Sequence, residues 1–595
     1  MYQSEAVSLP IGSAMIIAGP GSGKTTVLTN RVRYMIKELN IPPDEILVIT
    51  FTKAAALQMK KRFEEISGDY YPVTFSTFHS LFFSIITDAS NNEVSLITPK
   101  EKLNILVSVL KERQICFDGV NLSSLLAEQS LFKTKKSGKD DFVSAILEKD
   151  VFVKVYSACL KEEKLLGKLD FDDFSIWCEE MLRKENVLRL WKKRYRYCLV
   201  DEFQDIGEDQ YGILKMLFDD NVFAVGDDDQ SIYGFRGAKP SICMNFVKDF
   251  NAKVVYLSNN YRSQKDIVDK SVRLISHNKE RFDKTPLSRK EGNNKVNICK
   301  FDSSKEQYNE LLEVLKRNFE ENKSNVILLR TNNIPDNLLS LLTKEKIKIR
   351  CREKPDILIK NGFVKDIVAY FRLSLKDYTY TNLFRIANKP NRYLSRAFLT
   401  ECKANELIYD NDFFTFGNLY KASKGKSYLA GNIFKLENNL KKMKEMDSYE
   451  ALIYIFGVIG YEKYLRESGV KYTDIFERLK IIACENVNRE DFVSFCEEVN
   501  ECLTETQITK EDYKRGNVVE ICTLHSSKGL EWDNVYIPDV NEGNIPHKKS
   551  DNEFFEEERR LFYVGITRAV NNLWIGCVQN ENEKKIPSVF VKELE

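Results

Sequence analysis

The sequence predicts an α/β protein with two parallel-sheet domains, each interrupted by a mainly helical insertion. Three observations carry that prediction. A short apolar run, Ala14-Met-Ile-Ile-Ala18, ends in a glycine-rich turn that leads straight into a helix-forming segment at 27–40. Apolar runs of strand length then alternate with helical segments in two separate parts of the chain, as parallel strands covered on both faces do. Finally, two long stretches, 86–193 and 377–516, are charged and helical with few strand signals.

In the first α/β part, strands are expected at 14–18, 46–50 and 73–76, with helices at 27–40 and 54–66. The strand signal returns after the first insertion at 197–200, 222–225 and 254–257. Together these segments define a first domain over 1–85 and 194–279. The second part has strands at 296–301 and 326–329 around a helix at 306–321. Beyond the second insertion come strands at 518–522, 535–538 and 573–575 with a helix at 556–569, which completes a second domain over 280–376 and 517–595.

Length and composition agree with this division. A chain of 595 residues exceeds the usual single-domain size, and 43% hydrophobic residues suffice for several cores. No apolar run approaches the roughly 20 residues of a membrane span. The N-terminus, Met1-Tyr-Gln-Ser-Glu5, lacks the basic and apolar regions of a secretory signal, so a cytoplasmic protein with no membrane partner is expected. Thirteen cysteines without a C-x-x-C pair, and only four histidines, suggest neither a zinc site nor a disulfide framework. Lys and Arg number 89 against 88 Asp and Glu. Any nucleic-acid site is therefore a local groove rather than a basic surface.

The chemistry starts at Ala18-Gly19-Pro20-Gly21-Ser22-Gly23-Lys24-Thr25-Thr26. A strand, a glycine-rich loop, Lys-Thr and a helix, in that order, form a phosphate cradle. The glycines let backbone N–H groups point inward, and the helix start adds its positive dipole end. Lys24 would reach the β- and γ-phosphates, and Thr25 would bind Mg²⁺. The pattern is the broader form, with Ala18 in place of the first glycine. Asp201-Glu202 follows an apolar strand, so Asp201 would hold Mg²⁺ and Glu202 would orient and deprotonate the attacking water. Arg262 and Arg568 lie at strand–helix junctions, as a cation for the γ-phosphate would, or as a surface ion pair would.

These motifs resemble the UvrD/Rep/PcrA-like helicases of superfamily 1, which move 3′→5′ on single-stranded DNA. The matching strings run in family order along nearly the whole chain: Gln3-x-x-Ala6-Val7, the loop ending at Thr25, Thr50-Phe-Thr52, Thr77-Phe-His79-Ser80, Asp170-Phe-Asp-Asp173 and Val200-Asp-Glu-Phe-Gln-Asp205. They continue with Val225 through Ala238, Asn260-Tyr-Arg-Ser263, Leu524 through Glu531, and Glu558 through Ala569. The resemblance implies two RecA-like P-loop domains, with ATP and Mg²⁺ between them. It implies that Gln3 reads adenine, that Tyr261 and Arg31 sandwich the ring, and that Glu531 touches the ribose. Gln230 would sense the γ-phosphate, with Arg262 and Arg568 as arginine fingers. For DNA it implies base stacking by Phe51, Tyr233 and Phe235, and strand contacts from Thr52, His79, Arg236 and His525. Stacking suits a translocating enzyme because every base has a π-face.

The chain also departs from the family. Phe235 stands where the third motif usually has Trp, and Lys53-Ala54 replaces Asn-Lys. The family's duplex-binding Gly-Ile-Gly turn is replaced by Asn391-Arg-Tyr-Leu-Ser-Arg396, and Gln579 through Lys585 contains no aromatic where the family places its strand-separating pin. Three functions are compatible with this pattern. One is an ATP-dependent 3′→5′ DNA helicase acting on single-stranded and 3′-tailed duplex DNA. Another is a single-stranded-DNA translocase that displaces proteins or works with a protein partner. The third, a nucleotide-controlled binding switch, has no need of Glu202 and Arg568 together.

Overall fold

The computed structural model describes residues 2–595 apart from 91–94, 116–121, 135–141, 145, 235–236, 291, 293–295, 320–322, 354–357, 359–360, 408–412, 424–425, 470–471, 505–517, 548–551 and 582–584. Two six-stranded sheets, parallel throughout, form its frame. In the first, β1 (Ala14–Ala18), β2 (Ile46–Thr50), β3 (Thr74–Thr77), β4 (Tyr197–Val200), β5 (Val222–Gly226) and β6 (Lys253–Leu257) lie in the order β3-β2-β4-β5-β1-β6. All five residues of β1 are buried between β5 and β6. That is why β1 reads as an unbroken apolar run instead of an alternating one. Helices α1 (Tyr2–Val7), α2 (Lys24–Lys37), α3 (Lys53–Ser67) and α4 (Phe78–Ala89) belong to this unit.

A two-residue pair, β7 (Asn259–Asn260) with β8 (Leu287–Ser288), precedes the second sheet. The second sheet comprises β9 (Asn297–Phe301), β10 (Asn325–Leu329), β11 (Lys348–Cys351), β12 (Val518–Thr523), β13 (Trp532–Ile537) and β14 (Ala569–Val578), ordered β11-β12-β10-β13-β14-β9. The sequence reading misses β11. It is a four-residue edge strand, Lys-Ile-Arg-Cys, in which only Ile349 is buried, so its apolar signal is weak. In open parallel sheets, ligands bind outside the carboxyl ends of the strands. The loops after β1, β4, β5 and β12 therefore face the region between the two units.

Two expected boundaries shift. Helix Lys265–Ile275 falls in the first domain by sequence, yet its Ile267, Leu274 and Ile275 are buried with Val326, Leu328 and Val535 of the second sheet. The crossover thus occurs near Ser263, whose hydroxyl donates to the Ala569 carbonyl at 2.6 Å, followed by Gln264 N–H to Val570 O at 3.1 Å. The first insertion is also shorter than 86–193. A small core of its own, built on Leu106, Leu110, Phe132, Phe152 and Val155, covers only its N-terminal helices. Helices Phe174–Leu182 and Glu185–Arg194 bury Phe174, Cys178 and Trp191 in the core of the first sheet. The second insertion shares one continuous core with the second sheet, through helix Gly362–Ser374. No helix among the described residues is long and apolar enough to cross a membrane.

Arg31 on α2 is a structural tie. It is 2% exposed, and its guanidinium donates to the carbonyls of Val7 at 2.9 Å, Pro10 at 3.1 Å and Leu9, while lying over Phe223. It clamps the chain after α1 onto the domain. Removing it strands the buried Leu9 carbonyl, at about 1–3 kcal/mol, and leaves the partly buried Val7 and Pro10 bonds to water. Arg31→Met should lower the free energy of the first unfolding transition by about 2–4 kcal/mol in denaturant titration. Leu190→Ala, at a position 55% exposed, should change it by less than about 0.5 kcal/mol.

Candidate nucleotide site and nucleic-acid face

The loop after β1 is held open by its glycines. Gly21 and Gly23 have φ of 65° and 86°. A Cβ at Gly21 would lie 2.6 Å from Arg262 Cβ, and one at Gly23 would lie 2.6 Å from Gln3 Nε2. Tyr261-Arg262 therefore packs on one side of the loop and Gln3 on the other. Gln3 Nε2 donates to Ser22 O at 2.6 Å, Tyr261 N–H donates to Gly21 O at 3.0 Å, and the Tyr261 ring is 50% exposed. Lys24 Nζ donates to the carbonyl of Ala18 at 2.7 Å. Burial pulls the Lys24 pKa down, against the opposing charges of Asp227, Glu202 and Asp201. Such an ammonium has much to gain from an anion.

The Asp201-Glu202 pair sits at the end of β4, where Glu202 adopts a left-handed φ of 48°. Burial alone would raise the Glu202 carboxyl. The charges of Lys24, Lys528 and Arg568, with a 2.6 Å bond from Gln204 Nε2, outweigh it and bring the pKa below its usual value. Asp201 goes the other way, pushed up to about 7 by burial and by the neighbouring Glu202. Its Oδ1 is buried without a hydrogen-bond partner. A buried, unsatisfied carboxylate oxygen close enough to Lys24 to feel its charge is what a divalent cation requires of a ligand, and oxygen donors such as this one and the Thr25 hydroxyl suit Mg²⁺.

The second domain completes the cluster. Arg568 is 1% exposed and donates to Gln230 Oε1 at 3.0 Å, to Thr567 Oγ1, and to the carbonyls of Val564 and Leu530. Burial and the nearby Arg262 lower its pKa to about 9, while Glu202 and Asp227 act in the opposite sense. Arg262 Nε donates to Glu531 at 2.7 Å, and its NH1 reaches Thr567 O at 3.3 Å. Lys24, Asp201, Glu202, Gln230, Arg262 and Arg568 thus act on one another within one cluster, with Gln3, Tyr261 and Glu531 at its margins. Arg31 does not join them. Its guanidinium is committed to three carbonyls, an arrangement at odds with the expected sandwich of a base between Tyr261 and Arg31.

Sequence reasoning gave Lys528 no role. Its ammonium donates to both carboxylate oxygens of Asp205, at 2.5 and 2.7 Å, and to Gln230 O at 2.6 Å, and it lies 5.1 Å from the centre of the Tyr233 ring. Arg560 Nε donates to Ser231 O at 2.9 Å, and Glu557 accepts from Gly234 N–H at 2.9 Å. Neither Arg560 nor Glu557 has a role assigned from sequence, although Arg560 falls within the last motif; packing brings both to the seam.

The Phe51 and Tyr233 rings stack on each other, 5.3 Å apart and 10° from parallel. Thr52 caps α3 by accepting from Ala55 N–H at 3.1 Å. His79 stands exposed at the start of α4, 6.3 Å from the ring of Phe171, an aromatic 49% exposed that sequence reading gave no contact of its own. His525 is partly exposed, in the turn after β12. Phe235 and Arg236 lie outside the described residues.

Comparison with known proteins fits this arrangement. Residues 1–251 match the UvrD/REP helicase N-terminal domain, and 255–580 match the UvrD-like helicase C-terminal domain. The chain is 30% identical to the ATP-dependent DNA helicase Rep of Buchnera aphidicola, over all of this chain and 96% of that protein. It is 29% identical to DNA helicase II of Rickettsia typhi, over all of this chain and 94% of the relative. It is equally similar to the ATP-dependent DNA helicase PcrA of Staphylococcus aureus, at 29% over all of this chain and 85% of the relative. Matched over its length by both family domains and by full-length relatives, the chain belongs to the UvrD/Rep/PcrA-like family of DNA helicases.

Proposed function

We propose that this protein is an ATP-driven motor that moves 3′→5′ on single-stranded DNA and unwinds duplex ahead of it. The observation that carries the reading is the Gln230 to Tyr233 segment. One end bonds to Arg568 of the other domain, and three residues on a ring stacks on Phe51. A change at the phosphate end is thereby felt at the aromatic pair.

In this reading the backbone of residues 19–23 and the Lys24 ammonium hold the phosphates of ATP, while Gln3 and Tyr261 receive the base and Glu531 the ribose. Thr25 and Asp201 would hold Mg²⁺, which when bound draws charge off the phosphate oxygens. Glu202, kept ionised by Lys24 and Lys528, accepts the proton of the attacking water. Arg568 and Arg262 present fixed positive charge where negative charge grows, in a site largely shut off from water. Both arginines come with the second domain or against it, so hydrolysis proceeds with the domains closed. Phe51, Tyr233 and Phe235 stack on bases, and Thr52, His79, Arg236 and His525 contact the strand.

A second reading, a translocase that unwinds little, is favoured by one segment. Asn580 and Lys585 bond to each other through their backbones at 3.0 and 2.9 Å, and the stretch Gln579 through Lys585 that they bracket contains no aromatic residue. The two readings separate in strand displacement on 3′-tailed and 5′-tailed duplexes. Unwinding of the 3′-tailed substrate alone supports the helicase. ATP hydrolysis stimulated by single-stranded DNA without displacement supports the translocase, and no stimulation overturns both.

The residue assignments have their own checks in phosphate release with an oligothymidylate present. Lys24→Ala and Glu202→Gln should each lower kcat by about 10²-fold or more. Parental turnover in Glu202→Gln would show that the base is another group. Arg568→Ala should cost about 10³-fold in kcat, as the loss of an arginine finger does.

A further inference from the structure

Behind Gln230 lies a charge cluster that the reading above leaves unused. Asp227, Asp228 and Asp229 are buried, with carboxylate oxygens within 4.8 Å of one another. Lys284 stands among them. Its side chain is 6% exposed, and its Nζ is 2.6 Å from Asp227 Oδ1, 3.1 Å from Asp229 Oδ2 and in contact with Asp228 Oδ1. Its charge therefore lies within ion-pair distance of all three carboxylates. Arg281 grips Asp229 with two bonds, at 2.9 and 2.8 Å, and Phe282 N–H donates to Asp228 Oδ2 at 2.7 Å.

The other oxygen of Asp227 matters for the nucleotide site. Asp227 Oδ2 accepts from Gln230 Nε2 at 2.5 Å, and Gln230 Oε1 accepts from Arg568 at 3.0 Å. A carboxylate only accepts and a guanidinium only donates, so these two neighbours allow the Gln230 amide one orientation. The oxygen faces Arg568 and the nitrogen faces Asp227. Were Asp227 protonated, its O–H would compete for the amide oxygen and turn the NH₂ toward Arg568. Burial would favour that proton; Lys284 and Lys24 hold the Asp227 carboxyl at about 2 instead.

We propose that Lys284 is a positioning residue for ATP hydrolysis, acting through Asp227 to fix the amide of Gln230 toward Arg568. The proposal rests on reading the site as an ATPase. The test is a double-mutant cycle with Lys284→Met and Gln230→Ala, read by ATP hydrolysis in the presence of oligothymidylate. Lys284→Met should lower kcat at least tenfold and leave KM for ATP within threefold. The double variant should be no more than twofold slower than the slower single variant, because both substitutions remove one function. A merely structural lysine would give losses that multiply.

Losses that multiply, or parental kcat in Lys284→Met, overturn the proposal and leave the motor reading intact. A parent protein without ATPase activity overturns that reading and this proposal with it. If Lys284→Met fails to fold, as judged by melting, the same cycle is run on Lys284→Met/Asp228→Asn, which removes one carboxylate along with the ammonium and leaves Asp227 without its lysine. There a non-additive loss supports the assignment, and losses that multiply or a full parental rate overturn it.

Discussion

Charge buried at the seam between two sheets is the constraint on which this structure depends. Arg568, Arg560, Asp205 and Gln230 are all nearly removed from water, and each is satisfied by a partner in the opposite domain. An ionised group taken out of water costs several kcal/mol unless paired and hydrogen-bonded. Sliding one domain over the other would break those pairs, together with the packing of Ile232 in the second domain's core. The seam therefore has a small number of acceptable arrangements, as discrete switching requires. Nucleotide phosphate would enter where Lys24, Arg568 and Arg262 already crowd positive charge. Arg262 and Arg568 oppose each other's charge, and an anion between them would relieve that repulsion.

Much of this was legible in the residues and their order. Strand, glycine turn and Lys-Thr require only local geometry, and the paired acids after β4 follow from the same logic. The sheets were visible because their strands are unbroken apolar runs. What could not be read was facing. Arg31 lies seven residues beyond Lys24 on α2, nearly two turns on, and points at the carbonyls of Val7, Leu9 and Pro10 rather than at the loop. Lys528 and Lys284 were passed over for a related reason. A lysine between acids looks the same in sequence whether it is solvated or enclosed, and enclosure here is created by residues roughly 300 positions away in the case of Lys528 and Asp205.

The two insertions differ in what they are attached to. The first has a small core of its own, while the helices that follow it are built into the first sheet's core. The second shares a continuous core with the second sheet, where Asp366 on helix Gly362–Ser374 pairs with Arg385 and Lys389 and accepts from the Tyr461 hydroxyl at 2.7 Å. The stretch Asn391 through Arg396 is held as firmly: Arg392 is buried and bonded to Tyr370 Oη at 2.6 Å and to Ile386 O at 2.8 Å, leaving Tyr393 projecting outward.

The path of the chain between residues 260 and 300 bears on how the halves can move. It passes to the second domain at Ser263, where helix Lys265–Ile275 is packed, and returns to the first at Arg281 to Lys284 and at β8, paired with β7. It leaves again for β9. Three crossings tie the two halves together where a simple linker would give one. Each is fixed by buried contacts on the domain it reaches: the Ser263 hydroxyl and helix Lys265–Ile275 on the second, Arg281 and Lys284 on the first.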